Sequence, residues 1–364
     1  MSTVTTVHIV VPDGIDDPTR PSGGNTYDRR ICRGLAAAGW SVHERAVPGS
    51  WPWPDAEACA TLTELIAGIG DGAVVLVDGL IASTVPQVLV PEGRRLRLVV
   101  LVHMPLGAGL PGDQVGDART QERAVLSAAT AVVTTSTWTR RWLLERYALR
   151  PDQVHVAEPG VDAADLAPGT AAGGSLLCVA AVTPNKGHDV LLAALAALAG
   201  FSTDTDLAWR CVCVGTLTRD PGFADRVGRQ ARAVGLGDRV VFAGPRTGAD
   251  LDAAYAGADV LVLASRAETY GMVVTEALAR GLPVVATAVG GLPEALGHGA
   301  DGTRPGLLVP PGDAASLTAA LRCWLGNADV RHRLRNAAHE RRTTLSGWSD
   351  TSVRISHVLA KVAG

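Results

Sequence analysis

Aromatic residues are scarce: eight Trp, four Tyr and three Phe, 4% of the chain of 364 residues. That shortage argues against an aromatic-rich β-sandwich. With 41 Gly and abundant Ala it points to alternating helices and strands joined by glycine turns. Charge is sparse too, at 19% Asp, Glu, Lys and Arg, and nearly balanced: 33 basic residues against 36 acidic ones leave a formal charge of −3. No domain-wide basic field exists for a polyanion, so nucleic acid is not an expected partner. No apolar run approaches the roughly 20 residues that span a bilayer, so no transmembrane segment is expected. The stretch Met1–Val11 lacks the basic region and cleavage site of an export signal and reads as a first strand. The six cysteines, Cys32, Cys59, Cys178, Cys211, Cys213 and Cys323, include no pair separated by two residues that would begin a zinc or redox site. They read as buried, reduced thiols of a cytoplasmic protein.

What the chain does have is 47% apolar residues and a length of two domains at roughly 150 residues each. Short β-branched runs alternate with helical-period stretches, the pattern of parallel sheets built from βαβ units. One set of strands is expected near Thr6–Val11, Ser41–Ala46, Ala73–Val77, Leu98–His103, Ala131–Thr134 and Gln153–Ala157. A second is expected near Leu176–Ala180, Trp209–Val214, Val240–Ala243, Val260–Ala264, Pro283–Ala286 and Gly306–Val309. Between them Glu158–Gly174, rich in Pro, Gly and Ala, is the expected hinge. The tail drops the alternation for three successive helices, Ala314–Asn327, Asp329–Arg342 and Trp348–Lys361. In the last of these Trp348, Val353, Ile355, Val358, Leu359 and Val362 form an apolar stripe. The expected α/β architecture is two Rossmann-like domains facing a cleft: residues 1–165 with a returning helix at 346–364, and residues 175–345.

The most informative stretch runs from Val260 to Thr287. A buried strand ends at Ser265, a helix begins near Gly271, Gly281 and Pro283 stop it, and another buried strand follows. The first amides of that helix, on Gly271, Met272, Val273 and Val274, form an anion site at the carboxyl end of a parallel strand. Gly271 offers no side chain to obstruct a phosphate. Glu276 lies one turn past Met272, about 6 Å down the axis at 1.5 Å per residue, the step from a diphosphate to a ribose. A carboxylate only accepts hydrogen bonds and so suits a diol that donates two. Glu268, ahead of the helix, is placed for sugar hydroxyls.

Glu268 to Glu276, with Tyr270-Gly271 between them, resembles the signature of the retaining family 4 glycosyltransferases of the GT-B fold. The likeness extends to Ser22-Gly23-Gly24-Asn25 with Gly39-Trp40-Ser41-Val42, to Val240–Pro245, to Tyr255-Ala-Gly-Ala-Asp259 and to Gly306–Asp313. It implies that Glu276 binds the nucleotide ribose, that Glu268 contacts the transferred sugar, and that the last helix crosses back to the first domain. By the same resemblance, Gly23 and Gly24 approach phosphate or sugar, and His103 in His103-Met-Pro105 meets the donor sugar. Lys186, in Pro184-Asn-Lys186-Gly187 between a strand and a helix, is a point charge for the leaving diphosphate. Where the family usually has a Gly-Arg pair stands Ala180-Ala181, and Arg266 and Arg246 are the candidate substitutes.

The expected donor-binding set is therefore Gly23, Gly24, Lys186, Tyr270, Gly271, Met272, Val273 and Glu276, with His103 and Glu268 as catalytic residues. Neither metal nor cofactor is expected, since no Asp-x-Asp run stands at a cleft position. The implied reaction is retaining hexosyl transfer from a UDP- or GDP-linked sugar to a small-molecule or lipid-linked hydroxyl. A GT-B sugar phosphorylase or epimerase and a catalytically silent nucleotide-sugar-binding protein are the nearest alternatives. Gly107-Ala-Gly109-Leu-Pro-Gly112 is formally a dinucleotide fingerprint, the only support for a nicotinamide-dependent oxidoreductase; it reads better as a cleft loop, with Pro111 in its turn. Trp51 and Trp53 read as packing residues, with an apolar acceptor lip as the alternative. The arginines around Arg140 and Arg331–Arg335 read as solvated helix faces, with peripheral membrane contact left open.

Overall fold

The computed structural model describes residues 5–17, 21–109, 114–200 and 208–364. Among these residues twelve strands form two six-stranded sheets. The first contains β1 (Thr6–Pro12), β2 (Ser41–Val47), β3 (Val74–Asp78), β4 (Arg97–Val102), β5 (Ala131–Thr134) and β6 (Val154–Val156) in the order β2-β1-β3-β4-β5-β6. The second contains β7 (Ser175–Val179), β8 (Arg210–Val214), β9 (Val240–Gly244), β10 (Val260–Leu263), β11 (Val284–Thr287) and β12 (Gly306–Val309) in the order β12-β11-β10-β7-β8-β9. Every pairing is parallel. One compact unit comprises β1, residues 22–160 and residues 346–364; the other comprises residues 161–345.

Strands covered by helices on both faces must be apolar at every position, because successive side chains point opposite ways. In β3, Val75 and Val77 enter one core and Val74 and Leu76 the other. The helix Trp348–Ala363 closes the second of these cores with Ile355, Val358, Leu359 and Val362, each worth roughly 1.5–3 kcal/mol if fully buried. It packs on the helix Gly23–Ala37, and just past that helix Trp40 Nε1 donates to Ser356 Oγ at 2.8 Å.

Each order reverses direction once. In the first sheet the chain leaves β1 for β2 on one side and returns to β3 on the other; in the second the same happens between β7 and β10. Such switch points open crevices at the carboxyl ends of the strands, where ligands of doubly wound folds bind.

Several local expectations are corrected. Leu106–Gly109 forms a short helix where a loop was expected, and the rest of that fingerprint, at 110–112, lies outside the described residues. Val353 is exposed and leaves the apolar stripe of its helix. Trp51 packs against the first core, but Trp53 is 58% exposed and packs on nothing comparable. All six cysteines are free, yet Cys323 is exposed and Cys59 only partly buried. Among the described residues no helix is long and apolar enough to cross a membrane.

Candidate active site

In the second unit the chain leaves β10 through buried Ala264 and Ser265 and reaches the helix Met272–Ala279 across a loop held from behind. Thr287 Oγ1 donates to the Ser265 carbonyl at 2.6 Å, and the Gly291 amide donates to the Glu268 carbonyl at 3.1 Å. Gly290 has φ +54°, and a Cβ there would run into that same carbonyl, so only glycine lets the two loops lie this close. The result is a fixed Glu268. Its Oε1 accepts from Lys186 Nζ at 2.5 Å and from Ser265 Oγ at 3.0 Å. Lys186 ends the short turn Pro184–Lys186 after β7, and β7 and β10 are the strands that flank the switch point. Sequence reading assigns lysine and glutamate separate duties; the fold makes them partners.

Glu276, one turn into its helix, accepts from the Tyr255 hydroxyl at 2.7 Å. Burial pushes its carboxyl above the usual range, against the pull of Tyr255 and Arg280. Arg280 lies over the Tyr255 ring at 4.5 Å and bonds the Glu276 carbonyl at 2.9 Å. Tyr255 was read from sequence only as a landmark, and its phenol is what aims Glu276.

Gly271 caps the helix in the left-handed region, φ +95°, and a Cβ there would strike the Leu292 side chain. Its glycine is thus required by backbone and packing whether or not a phosphate binds. The Val274 amide donates to the Gly271 carbonyl at 2.9 Å and drops out of the expected anion site; the amides of Gly271, Met272 and Val273 precede it. The side chains of Met272 and Val273 pack against the core, as does buried Tyr270.

Of the two substitute cations, Arg266 is already engaged. The Arg266 guanidinium forks onto Asp189 at 2.9 and 2.7 Å and bonds the Pro184 carbonyl at 2.6 Å. Arg246 follows β9, the edge strand two places from β7. Lys186 is the cation that the fold delivers beside Glu268.

In the first unit, Ser22 Oγ caps the helix Gly23–Ala37 by accepting from the Asn25 amide at 3.1 Å, which puts Gly23 and Gly24 in its first turn. A Cβ on Gly24 would stand 3.4 Å from His103 Cδ2, so ring and backbone are in close approach. His103 lies just past β4, with Nε2 2.8 Å from Asp28 Oδ1 and 3.6 Å from Asp78 Oδ2. Sequence reading missed both acids. It also missed Glu122, which accepts from the Leu106 and Gly107 amides at 3.0 and 3.3 Å, from Ser83 Oγ at 3.1 Å and from the Tyr147 hydroxyl at 2.5 Å. Glu122 thereby engages the amides that open the formal fingerprint, and residues 110–112 of it lie outside the described residues. Trp53 lines an open pocket of about 450 Å³ with Thr84, Gln87, Leu106 and Gln121.

Among the described residues two groups of side chains could bring ligand atoms to one metal ion: Asp28, Asp78 and His103, and Cys178, His188 and Cys213. In the second, the bond with Cys213 and burial push the Cys178 thiol well up in the metal-free protein.

A family model described as Glycosyl transferases group 1 matches residues 174–341. D-inositol 3-phosphate glycosyltransferase 1 of Catenulispora acidiphila is 32% identical over 290 residues, 73% of this chain and 67% of that protein. The D-inositol 3-phosphate glycosyltransferases of Corynebacterium glutamicum and Kineococcus radiotolerans are 31% and 34% identical, over 59% and 64% of this chain and 53% and 57% of their own lengths. The chain thus spans between half and two thirds of the curated relatives it matches. Among solved structures, sucrose-phosphate synthase from Thermosynechococcus elongatus aligns with a TM-score of 0.78 at 22% identity, covering 98% of each chain. Anabaena HepE in complex with UDP and glucose aligns with a TM-score of 0.72 at 18% identity over 97% of this chain and 99% of that one, and these likenesses establish the GT-B fold. By its relatives, the chain belongs to the glycosyl transferases group 1 family.

Proposed function

We propose that the protein transfers a hexose from a UDP- or GDP-linked donor to a hydroxyl acceptor, with retention at the anomeric carbon and without a metal. The observation that carries this reading is the convergence of Lys186, Ser265 and Glu268 at the second sheet's switch point, just ahead in the chain of the helix that bears Glu276 one turn past its leading amides. Glu276 takes the ribose diol. The leading amides and Lys186 take the diphosphate, Lys186 turning from Glu268 to the incoming anion and freeing that carboxylate for sugar hydroxyls. Positive charge at the leaving group then comes from the protein, which is why no metal is required. His103 serves the sugar, and the departing phosphate takes the acceptor proton on the face it leaves. The relatives' names point to a phosphorylated polyol as one acceptor class; the Trp53 pocket supports an acceptor with an apolar face.

Thermal-shift screening with UDP-, GDP-, ADP- and TDP-sugars tests the donor, and Glu276→Ala should remove the shift. Product anomers read by NMR test retention, and EDTA tests metal independence. Unchanged nucleotide affinity in Glu276→Ala, or stabilisation by inorganic phosphate alone as in a phosphorylase, would overturn the reading.

A further inference from the structure

Three side chains converge at the switch point of the first sheet: Asp28 from the helix Gly23–Ala37, Asp78 from the end of β3, and His103. The acids are 3% and 4% exposed. Their polar atoms can be followed one by one. Asp78 Oδ1 accepts the Leu80 amide at 2.5 Å, and Asp28 Oδ1 lies 2.8 Å from His103 Nε2. Asp28 Oδ2 is left buried with no donor. An orphaned, buried carboxylate oxygen is costly, and so are two adjacent buried carboxylates both ionised. A single proton on Asp78, donated to Asp28, removes both problems.

We propose that Asp78 is protonated and donates to an ionised Asp28, and that Asp28 accepts the Nε2 proton of a neutral His103, so that Nδ1 is left as a hydrogen-bond acceptor for a substrate hydroxyl. Asp28 and Asp78 are then positioning residues, and their service to the reaction rests on the reading of His103 as a group that meets the sugar. The ring is held for this. Tyr27 meets it edge-on at 5.1 Å, Gly24 lies against Cδ2, and the side chain keeps 14% of its surface open. Among the described residues Nδ1 has no hydrogen-bond partner. A carboxylate that fixes one imidazole nitrogen sets the tautomer and the task of the other.

The directions for Asp78 and His103 agree, and the ionised form of Asp28 relies on the hydrogen bond from Asp78, which pulls against its burial. Burial pushes Asp78 well above the carboxylate range and Asp28 up to about 7, while it lowers His103. The other groups acting on Asp28 are Tyr27 and Cys32 of its own helix, Arg29, and Glu44 of β2, the last two paired to each other at 2.6 Å.

The test uses the full chain labelled with ¹⁵N-histidine, with the His103 signals assigned by their loss in His103→Gln. Long-range ¹H–¹⁵N spectra should show a neutral ring with its proton on Nε2. Asp78→Asn, whose amide mimics a protonated acid, should keep that tautomer, and Asp28→Asn should lose it. A proton on Nδ1, an imidazolium at neutral pH, an unchanged spectrum in Asp28→Asn, or Mn²⁺ or Zn²⁺ bound by wild type and lost in Asp78→Asn would overturn the assignment. In turnover of UDP-glucose, or of whichever screened nucleotide sugar gives the largest thermal shift, Asp28→Asn should cost at least tenfold more kcat than Asp78→Asn, with donor KM little changed. Equal or inverted losses would overturn it as well. Failure of every nucleotide to bind would sink the glycosyl-transfer reading, while the spectra would still decide the proton arrangement.

Discussion

Lys186 and Glu268 are 82 residues apart in sequence and 2.5 Å apart at their charged atoms, joined because β7 and β10 are neighbours across the second switch point. Removing either charge leaves the other uncompensated in a partly buried setting. Lys186→Met and Glu268→Gln should therefore be strongly non-additive in urea unfolding of the free protein, with an interaction energy of about 0.5–3 kcal/mol. Saturation with the nucleoside diphosphate that the screen selects should shrink that coupling, since Lys186 then has an anion of its own. Full additivity in the free protein would contradict the pairing.

Gly290→Ala tests whether the position of Glu268 matters more than its charge. The new Cβ meets the Glu268 carbonyl, and φ of +54° costs an L-residue roughly 1–2 kcal/mol before any clash. The loop must yield, and Glu268 moves with it, while Glu276 on its helix does not. Turnover should fall by at least tenfold with nucleotide affinity nearly unchanged; parallel loss of both would place the strain elsewhere.

The fold was legible because strands buried on both faces must be apolar throughout, and runs such as Val74–Val77 and Val260–Leu263 are unmistakable in an otherwise alternating chain. The wiring of the sites was not. No spacing rule links Lys186 to Glu268, or His103 to Asp28 and Asp78, since these meetings depend on which strands become neighbours at a switch point. Asp28 lies on an amphipathic helix and reads as one more solvated charge until the helix is docked. Gly271 shows the opposite hazard. Its glycine looked like room for a phosphate, whereas φ and Leu292 already demand it.

Asp259 belongs to a landmark shared with the family, and its surroundings give it a structural task. Fully buried, it accepts from the Thr170 amide, from Thr170 Oγ1 at 2.7 Å, from the Ser175 amide at 2.9 Å and from Arg335 Nη2 at 2.8 Å. It thereby ties the irregular segment ahead of β7 to the sheet. Asp259→Ala strands several donors and a guanidinium. Arg335 keeps 25% of its side chain exposed and can rehydrate, which sets the loss near the lower end for a broken buried pair, about 3 kcal/mol. Urea unfolding should show a lower midpoint with an unchanged slope, and nucleotide affinity per folded molecule should hold. A loss of affinity at full folding would give Asp259 a direct part in the site.

Glu276→Gln separates function from stability by sign. Burial raises the folded carboxyl above its unfolded value, about 4.3. A group raised in this way stabilises the fold when protonated, below the unfolded value, and that contribution is lost as pH rises through the folded value. At neutral pH the ionised carboxylate is thus a burden on the free protein, lightened but not removed by Tyr255. Gln keeps an oxygen for the Tyr255 hydroxyl and carries no charge, so the variant should melt higher than wild type at about pH 8, and the gap should close as pH falls and wild type becomes protonated. Nucleotide binding should move the other way. Each charge-assisted bond to the ribose is worth about 1.5–3 kcal/mol, and its loss should weaken the nucleoside diphosphate accordingly. Wild-type affinity should decline on acidification at a higher pH than an ordinary glutamate would give, and the variant should show no such decline. Calorimetry and melting curves across that range check both halves; a variant that melts lower and binds as tightly as wild type would show that Glu276 is a packing residue and not the ribose acceptor.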